Sequence, residues 1–245
     1  MTNQVISGLG VSLICGTSIY GEVQNVPEVM ETIGKIDTTA HNNVGGAKTS
    51  RPGFSDVGEI SIDLGYTGET AQDAIRTMLY AKTVSTWMVV APTSATGIAR
   101  AWSFSGYVSG CGTPVFDKEG NAKMSFKVQP SGSLTTLTTA VVGLSALAVT
   151  DQGTTGLTIL PTFAATTYGY KVTTDLADTG VCVTATDATG AEVIYVANAI
   201  ATTATPTAAI TIPTVAGQVL VVPVVVFKTA CVPKVTWIEV THGYV

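Results

Sequence analysis

A mainly β fold in two parts is what this sequence predicts, on three observations. Charged residues make up 12% of the 245 and hydrophobic ones 46%, and the wealth of Thr, Val, Ala and Gly favours strands and turns over helices. Apolar and polar residues alternate with period two in run after run, while one segment has helical spacing. The composition also shifts at Gln129-Pro130-Ser131-Gly132-Ser133, a Pro, Gly and Ser linker, after which Thr and Val dominate. A chain of this length suits one large or two small domains, and two such domains would each bury about two-thirds of their unfolded surface.

Along the first part, Val11 to Cys15 and Glu31 to Asp37 read as strands. The polar segment Thr38 to Glu59 follows, punctuated by Asn42-Asn43, Gly45-Gly46 and Pro52-Gly53. Read as a loop it runs to about twenty residues, a length that is uncommon in compact domains and usually functional. Ile36-Asp37-Thr38 and Pro52-Gly53-Phe54 are its expected hinges, and Asn42 to Ser50 the part expected to touch a neighbour. Ile60 to Leu64 alternates and is the strand that anchors the far end of the loop.

Thr70 then reads as a helix N-cap with the acid Asp73 three residues on, and Ala71, Ala74, Ile75, Met78 and Leu79 share one helical face. That stripe is expected to pack on a sheet. Thr86 to Ala91 forms a strand, Arg100 to Val108 another, and the turn Asp117 to Asn121 leads into Ala122 to Val128, which is expected beside the Arg100 strand.

Past the linker, short strands alternate with turn signals: Leu147 to Val149, Tyr168 to Val172, Val181 to Thr186, Val193 to Val196, Ala209 to Ile212, Val219 to Phe227 and Lys234 to Thr241. About seven strands at this spacing predict an immunoglobulin-like β-sandwich. The expected boundaries are a first domain over 1–132, a linker over 133–143 and the sandwich over 144–245.

Function classes fall away in turn. A net charge of −5 argues against a protein that grips nucleic acid by neutralising phosphates. No 18-residue apolar run offers a transmembrane helix, and the N-terminus lacks the basic region of a standard export signal. Cys15, Cys111, Cys182 and Cys231 form no CxxC pair; they read as reduced thiols, with a Cys182 to Cys231 bridge as the alternative. His41 and His242 each lack a second ligand at metal-binding spacing. There is no G-x-S-x-G elbow, and Gly8-Leu9-Gly10 lacks the third glycine of a dinucleotide fingerprint. The carboxylate pairs Asp56 with Glu59 and Asp117 with Glu119 lie in turn contexts that favour solvation. The chain therefore reads as no enzyme, with no cofactor and no metal.

A resemblance joins these pieces. Gly21-Glu22-Val23 leads into Ile33-Gly34-Lys35-Ile36-Asp37-Thr38-Thr39, and Arg51-Pro52-Gly53-Phe54-Ser55-Asp56-Val57-Gly58-Glu59-Ile60 follows. With the helix from Thr70 to Lys82 and the element Gly106-Tyr107-Val108, these segments resemble the major tail tube proteins of lambda-like, long noncontractile-tailed bacteriophages. In that family a D-x-T sequence opens a long loop and a P-G-x-x-D-x-G sequence closes it. The second part resembles the immunoglobulin-like or cadherin-like modules appended to phage tail proteins, through Leu144 to Thr150, Phe163, Thr167 to Val172 and Trp237 to Thr241.

The resemblance implies a small β-sandwich or barrel flanked by the helix, assembling into stacked rings, commonly of six, that conduct DNA into the host. It implies an inter-subunit loop carrying Thr38, Thr39, Asn42, Asn43, Lys48, Arg51, Phe54 and Asp56, and a lumen whose acids would be Glu22, Glu28, Glu31 and Asp63. The implied partners are further copies of the chain, tape measure, tail terminator and tail tip proteins, and DNA passing without specific binding. The appended module would make weak host-surface contact without membrane insertion, with Tyr168 or Tyr170 at a sandwich corner. The implied place is the virion tail, assembled in the host bacterial cytoplasm. The competing reading is a secreted or surface-displayed β-sandwich adhesin.

Overall fold

In the computed structural model the described residues are 11–20, 23–26, 30–39, 48–68, 70–91, 100–116, 122–152, 155–190 and 192–243. Among them the chain is mainly β with one α-helix, as expected. It divides into two compact units that change over between Thr136 and Leu137, with Thr17–Ile19 and Val90–Ala101 grouped with the second.

The strands up to the changeover are β1 (Ser12–Cys15), β2 (Ser18–Tyr20), β3 (Val23–Asn25), β4 (Glu31–Asp37), β5 (Ser50–Val57) and β6 (Ile60–Gly65). Helix α1 (Thr70–Ala81) follows, then β7 (Val84–Val90), β8 (Ala101–Cys111), β9 (Val115–Phe116), β10 (Ala122–Pro130) and β11 (Thr135–Leu137). One sheet has the order β2-β1-β7-β8-β10-β6-β3, with β11 on β8 and β9 on β10; β4 and β5 form a separate ribbon. The expected neighbours β8 and β10 pair antiparallel, with a register shift between Lys127 and Val128.

Alternation decides which face is inside. Ile60, Ile62 and Leu64 of β6 and Met124, Phe126 and Val128 of β10 are buried, together with Phe104 and Val108 of β8. At the centre Trp87 lies 5.8 Å from Phe126 and 6.3 Å from Tyr20, ring to ring. The indole N–H of Trp87 donates to Gly106 O at 3.2 Å, so this buried ring leaves no polar atom unmet. Gly106 is needed where it stands, because a Cβ there would come within 2.9 Å of Gln129 O across the β8–β10 pair.

The helix buries the predicted stripe: Ile75 is fully covered and Ala71, Met78 and Leu79 pack on the same core. Its start differs from expectation. Asp73 accepts instead from the Tyr66 hydroxyl at 3.0 Å, and the buried Gln72 holds the β6–α1 turn, donating to Gly65 O at 2.8 Å and accepting from Thr67 N–H at 2.9 Å. An amide both donates and accepts, which a carboxylate cannot do, so Gln72 satisfies two backbone groups of opposite kind. At the other end Lys82, with φ 52°, takes the left-handed position that closes a helix, and Thr83 N–H donates to Met78 O at 3.4 Å.

The second unit contains β12 (Leu144–Asp151), β13 (Gly156–Leu157), β14 (Ile159–Leu160), β15 (Gly169–Thr174), β16 (Gly180–Asp187) and β17 (Val193–Val196). It ends with β18 (Ala199–Ala201), β19 (Ile210–Thr211), β20 (Val219–Phe227) and β21 (Lys234–His242). The sheets β13-β12-β16-β19 and β14-β15-β21-β20-β17-β18 enclose one core. Leu147, Val149, Val181 and Val183 come from the first, and Tyr170, Val172, Ile194, Val224, Ile238 and Val240 from the second. All seven expected strands are present; β13, β14 and β18 were not foreseen, being too short to show a period.

Two details explain how the sandwich tolerates its sequence. Pro223 sits in β20, an interior strand, opposite Trp237 of β21. Trp237 N–H turns the other way, to Tyr168 O at 2.8 Å, and the β17 ladder stops at Val196 opposite Val224. The missing N–H of Pro223 therefore faces the two-residue turn Ala197-Asn198 and not a ladder position. Along the edge of β16, Thr203 and Thr207 hydroxyls accept from the N–H groups of Asp187 and Val183 at 3.0 and 3.1 Å. Threonine oxygens there replace the carbonyls of a neighbouring strand.

The expected linker over 133–143 is more ordered than its composition suggests. Strand β10 continues through Gln129 and Pro130, β11 pairs with β8, and Ala140 bridges to Val232 in parallel. The glutamate Glu192 accepts from Val142 and Gly143 N–H at 2.9 and 3.2 Å. Its own N–H donates to Asp187, whose carboxylate also takes Thr189 N–H at 2.9 Å. Burial pushes the Asp187 carboxyl up, but these bonds from Thr189 and Glu192 outweigh it and hold it below the ordinary aspartate range.

Two stability predictions follow from these packing facts. A depressed carboxyl contributes stability that is present above the unfolded-state value and lost as pH falls through the lower folded value. Asp187→Asn should therefore destabilise the second unit by about 1 to 3 kcal/mol at neutral pH, with the gap to wild type closing below the ordinary aspartate range; urea titrations across pH measure it. A gap independent of pH would contradict the assignment. The Tyr20 hydroxyl is buried with no hydrogen-bond partner among the described residues. Tyr20→Phe should accordingly raise unfolding free energy by about 1 kcal/mol, and a variant that melts earlier would show that the hydroxyl is satisfied.

Candidate functional site: an exposed two-stranded arm

The segment expected as loop carries a strand, β5, over Ser50–Val57, and this corrects the reading of Thr38 to Glu59. β4 and β5 pair antiparallel from Glu31 opposite Val57 to Asp37 opposite Ser50. The expected hinges Ile36-Asp37 and Pro52-Gly53-Phe54 are strand positions. Proline and glycine did not end β5 because both strands of a two-stranded ribbon are edges, which accept proline. Gly34 stands opposite the pair Gly53-Phe54, one extra residue that makes a bulge. A Cβ on Gly53 would lie 3.0 Å from Gly34 O and 3.1 Å from the Ile36 side chain, so the bulge needs glycine.

The bulge sets which residues share a face. Thr32, Ile36, Arg51, Phe54 and Asp56 fall on one side, and Glu31, Ile33, Lys35, Asp37, Pro52 and Ser55 on the other. Of the residues singled out from sequence, Arg51, Phe54 and Asp56 are thus brought together. Phe54 is 91% exposed and Ile33, on the opposite face, 65%.

Thr38 and Thr39 have a different job. Thr38 N–H donates to Thr49 O at 3.0 Å, Thr49 N–H donates to the Thr39 hydroxyl at 2.9 Å, and Asp37 accepts from Thr39 N–H at 2.8 Å. Bonds from Thr39, its side chain first and its N–H second, hold the exposed Asp37 carboxyl below its ordinary range. The two threonines close the hairpin beneath its tip, while Lys48 is exposed beside them. Asn42 and Asn43, and His41, lie outside the described residues.

The expected lumen acids separate. Glu22 and Glu28 lie outside the described residues, Glu31 is exposed at the base of the arm, and Asp63 projects from the outward face of β6. Asp63 accepts from the Ser125 hydroxyl at 2.6 Å. On the same face Glu59 takes Lys127 Nζ and the Ser109 hydroxyl, both at 2.7 Å, and these bonds hold its carboxyl below the ordinary range, the lysine foremost. Glu59 and Asp63 stand against Lys123 and Lys127, so charge on this described face balances.

No catalytic arrangement emerges among the described residues. None of them forms a group of three or more His, Cys, Asp or Glu able to hold a metal. His242 is buried with Nδ1 3.4 Å from the Thr174 hydroxyl, and Asp117 and Glu119 lie outside the described residues. All four cysteines are free thiols, so Cys182 and Cys231 are not bridged. Burial pushes the Cys15 thiol up to about 11, against a lowering bond with Ser85, which leaves it an inert core group.

Of the two expected corner tyrosines, Tyr170 fits the part. Its buried hydroxyl donates to Ala164 O at 2.8 Å and accepts from Ala164 N–H at 3.1 Å, and its ring stacks on Phe163 at 6.0 Å. Tyr168 lies instead under Lys234 Nζ, 5.2 Å from the ring centre. Lys234 also donates to Ala165 O, and its burial lowers the ammonium's pKa. The sequence reading missed β5, Gln72 and the Asp187 to Glu192 turn; an acid two residues before Thr189-Gly190 was a signal for the last.

Since Phe54 is nearly bare, Phe54→Ser should leave the melting temperature unchanged, within about 0.5 kcal/mol of stability. A large drop by calorimetry would mean that the side chain is packed in the free chain.

No protein-family model matches the chain, and no curated protein sequence does. Several solved structures are similar to part of it. One is the cap of the anti-feeding prophage (AFP tube terminating cap), 14% identical over 53% of this chain and 89% of that one, TM-score 0.43. Another is the sheath-tube complex of an extracellular contractile injection system (PVC) in the extended state, 14% identical over 56% and 94%, TM-score 0.43. A third is the SPP1 Dit (gp 19.1) protein, 10% identical over 71% and 79%, TM-score 0.31. Likenesses this distant do not decide what the chain does.

Proposed function

We propose that this chain is a structural subunit that polymerises through the β4–β5 arm into stacked rings, forming a bacteriophage tail tube that conducts DNA. One observation carries the reading: a ribbon of two strands stands apart from the nine-stranded sheet with a bare phenylalanine on it. A two-stranded hairpin is marginal in water by itself, and an exposed aromatic marks a surface that is covered in use. Head-to-tail assembly requires two complementary faces on each subunit, and a projecting arm supplies one. The sequence resemblance to tail tube proteins supplies the rest: rings of six, tape measure, terminator and tip proteins as partners, and a place in the virion tail.

A tube that conducts DNA must not hold it, because each phosphate neutralised adds salt-dependent affinity. The outward face of β6 and β10 suits that need by balance: its lysines are matched by Glu59 and Asp63, and serines fill the positions between. The second unit is read as an immunoglobulin-like module carried by the tube. Its strand order supports this, since β12-β16-β19 and β21-β20-β17 match the A-B-E and G-F-C groupings of that fold, with β15 parallel to β21.

Shortening the arm tests the reading. Residues 34–54 are replaced by Asn-Gly, so that Ile33 and Ser55 flank a two-residue turn. Wild-type protein at high concentration should show ringed tubes by negative-stain microscopy, and the variant should melt as wild type yet stay monomeric. Tubes of normal length from the variant would remove the arm from assembly, and a wild type that never leaves the monomer would favour the adhesin.

A further inference from the structure

Resting on the reading of the arm as an assembly element, we infer that it docks on a second copy, with Phe54 seated in a hollow on that copy's first unit. The hollow, about 570 Å³, is lined by Leu79, Lys82, Tyr107, Val108 and Ser109. It lies where the last turn of α1 meets β8, and its lining is mainly apolar with Lys82 at the helix end. Tyr107, an aromatic residue of this lining, is 38% exposed.

Charge selects the occupant. The arm face that bears Phe54 has Arg51 on one side of it and Asp56 on the other. The hollow offers the opposite charges, Lys82 on its lining and Glu59, which accepts the Ser109 hydroxyl at 2.7 Å. Asp56 pairs with Lys82 and the Arg51 guanidinium shares the Glu59 carboxylate, with the aromatic ring between them as the desolvated anchor. Arm and hollow differ and sit on one chain, so the contact is heterologous and repeats from copy to copy without using up either surface.

Charge exchange in the full-length chain tests the docking. Asp56→Lys and Lys82→Glu are made singly and together, and assembly is followed by sedimentation and negative stain, with thermal melts to check folding. Each single change should raise the concentration needed for polymers by about tenfold or more, and the double should return it close to wild type. A wild type that stays monomeric overturns the assembly reading and this docking with it. Wild-type polymers, together with single variants that assemble normally or a well-folded double that stays monomeric, overturn the docking alone. Where a charge variant fails to fold, Phe54→benzoylphenylalanine is irradiated in the polymer. Cross-links to peptides spanning 79–82 or 107–109 uphold the site, and cross-links confined to other peptides reject it.

Discussion

Every backbone N–H and C=O at a strand edge must find a partner or face water, and this constraint organises the whole molecule. The second unit meets it internally. Its four outermost strands, β13, β19, β14 and β18, are two or three residues long, and threonine side chains cover the β16 edge beyond β19. Even Pro223, which has no N–H to give, stands opposite the turn residue Ala197, whose N–H its carbonyl accepts at 3.0 Å. Few edge groups remain for another chain to use, and the sandwich can be self-sufficient.

The first unit treats the same constraint differently. Its sheet packs on Trp87, Tyr20 and Phe126, with α1 covering the core through Ile75, Met78 and Leu79. Yet β4 and β5 leave that sheet and pair only with each other. Among the described residues both keep one edge free, and neither face has a core beneath it. The Thr39 to Thr49 clamp and the glycine bulge hold the ribbon's form, but they bury almost no apolar surface. On the proposed assembly, what stabilises it in use comes from another copy of the chain.

Much of this was legible in sequence where one signal dominated. Alternation located β6, β8, β10 and the seven expected strands of the sandwich, and the stripe from Ala71 to Leu79 located the helix, because burial of one face imposes its period on the residues. The arm was legible as a place but not as a structure. Pro52 and Gly53 are loop residues by local preference, and their acceptance in β5 follows from its being an edge strand, a property of topology that no local window contains. Gln72 was hidden for a similar reason: a polar residue on a helix reads as solvated until the backbone groups it meets, Gly65 and Thr67, are brought beneath it. At the candidate site, Arg51, Phe54 and Asp56 were found individually, but their common face depends on the bulge at Gly53, which shifts the alternation by one residue.

That shift also bears on how such an arm stays soluble before assembly. Without the bulge, residues 50–57 would alternate strictly, and Phe54 would sit on the face of Pro52 and opposite that of Arg51. With it, Phe54 is flanked on its own face by Arg51 and Asp56, two opposite charges that hydrate the surface around the ring. Two copies of the strand laid side by side in parallel and in register would set like charges against each other, which disfavours that pairing, whereas a surface of reversed order accepts the same face. A bulge of one residue thus gathers on one face of the arm the cation, ring and anion that a surface of reversed order can recognise.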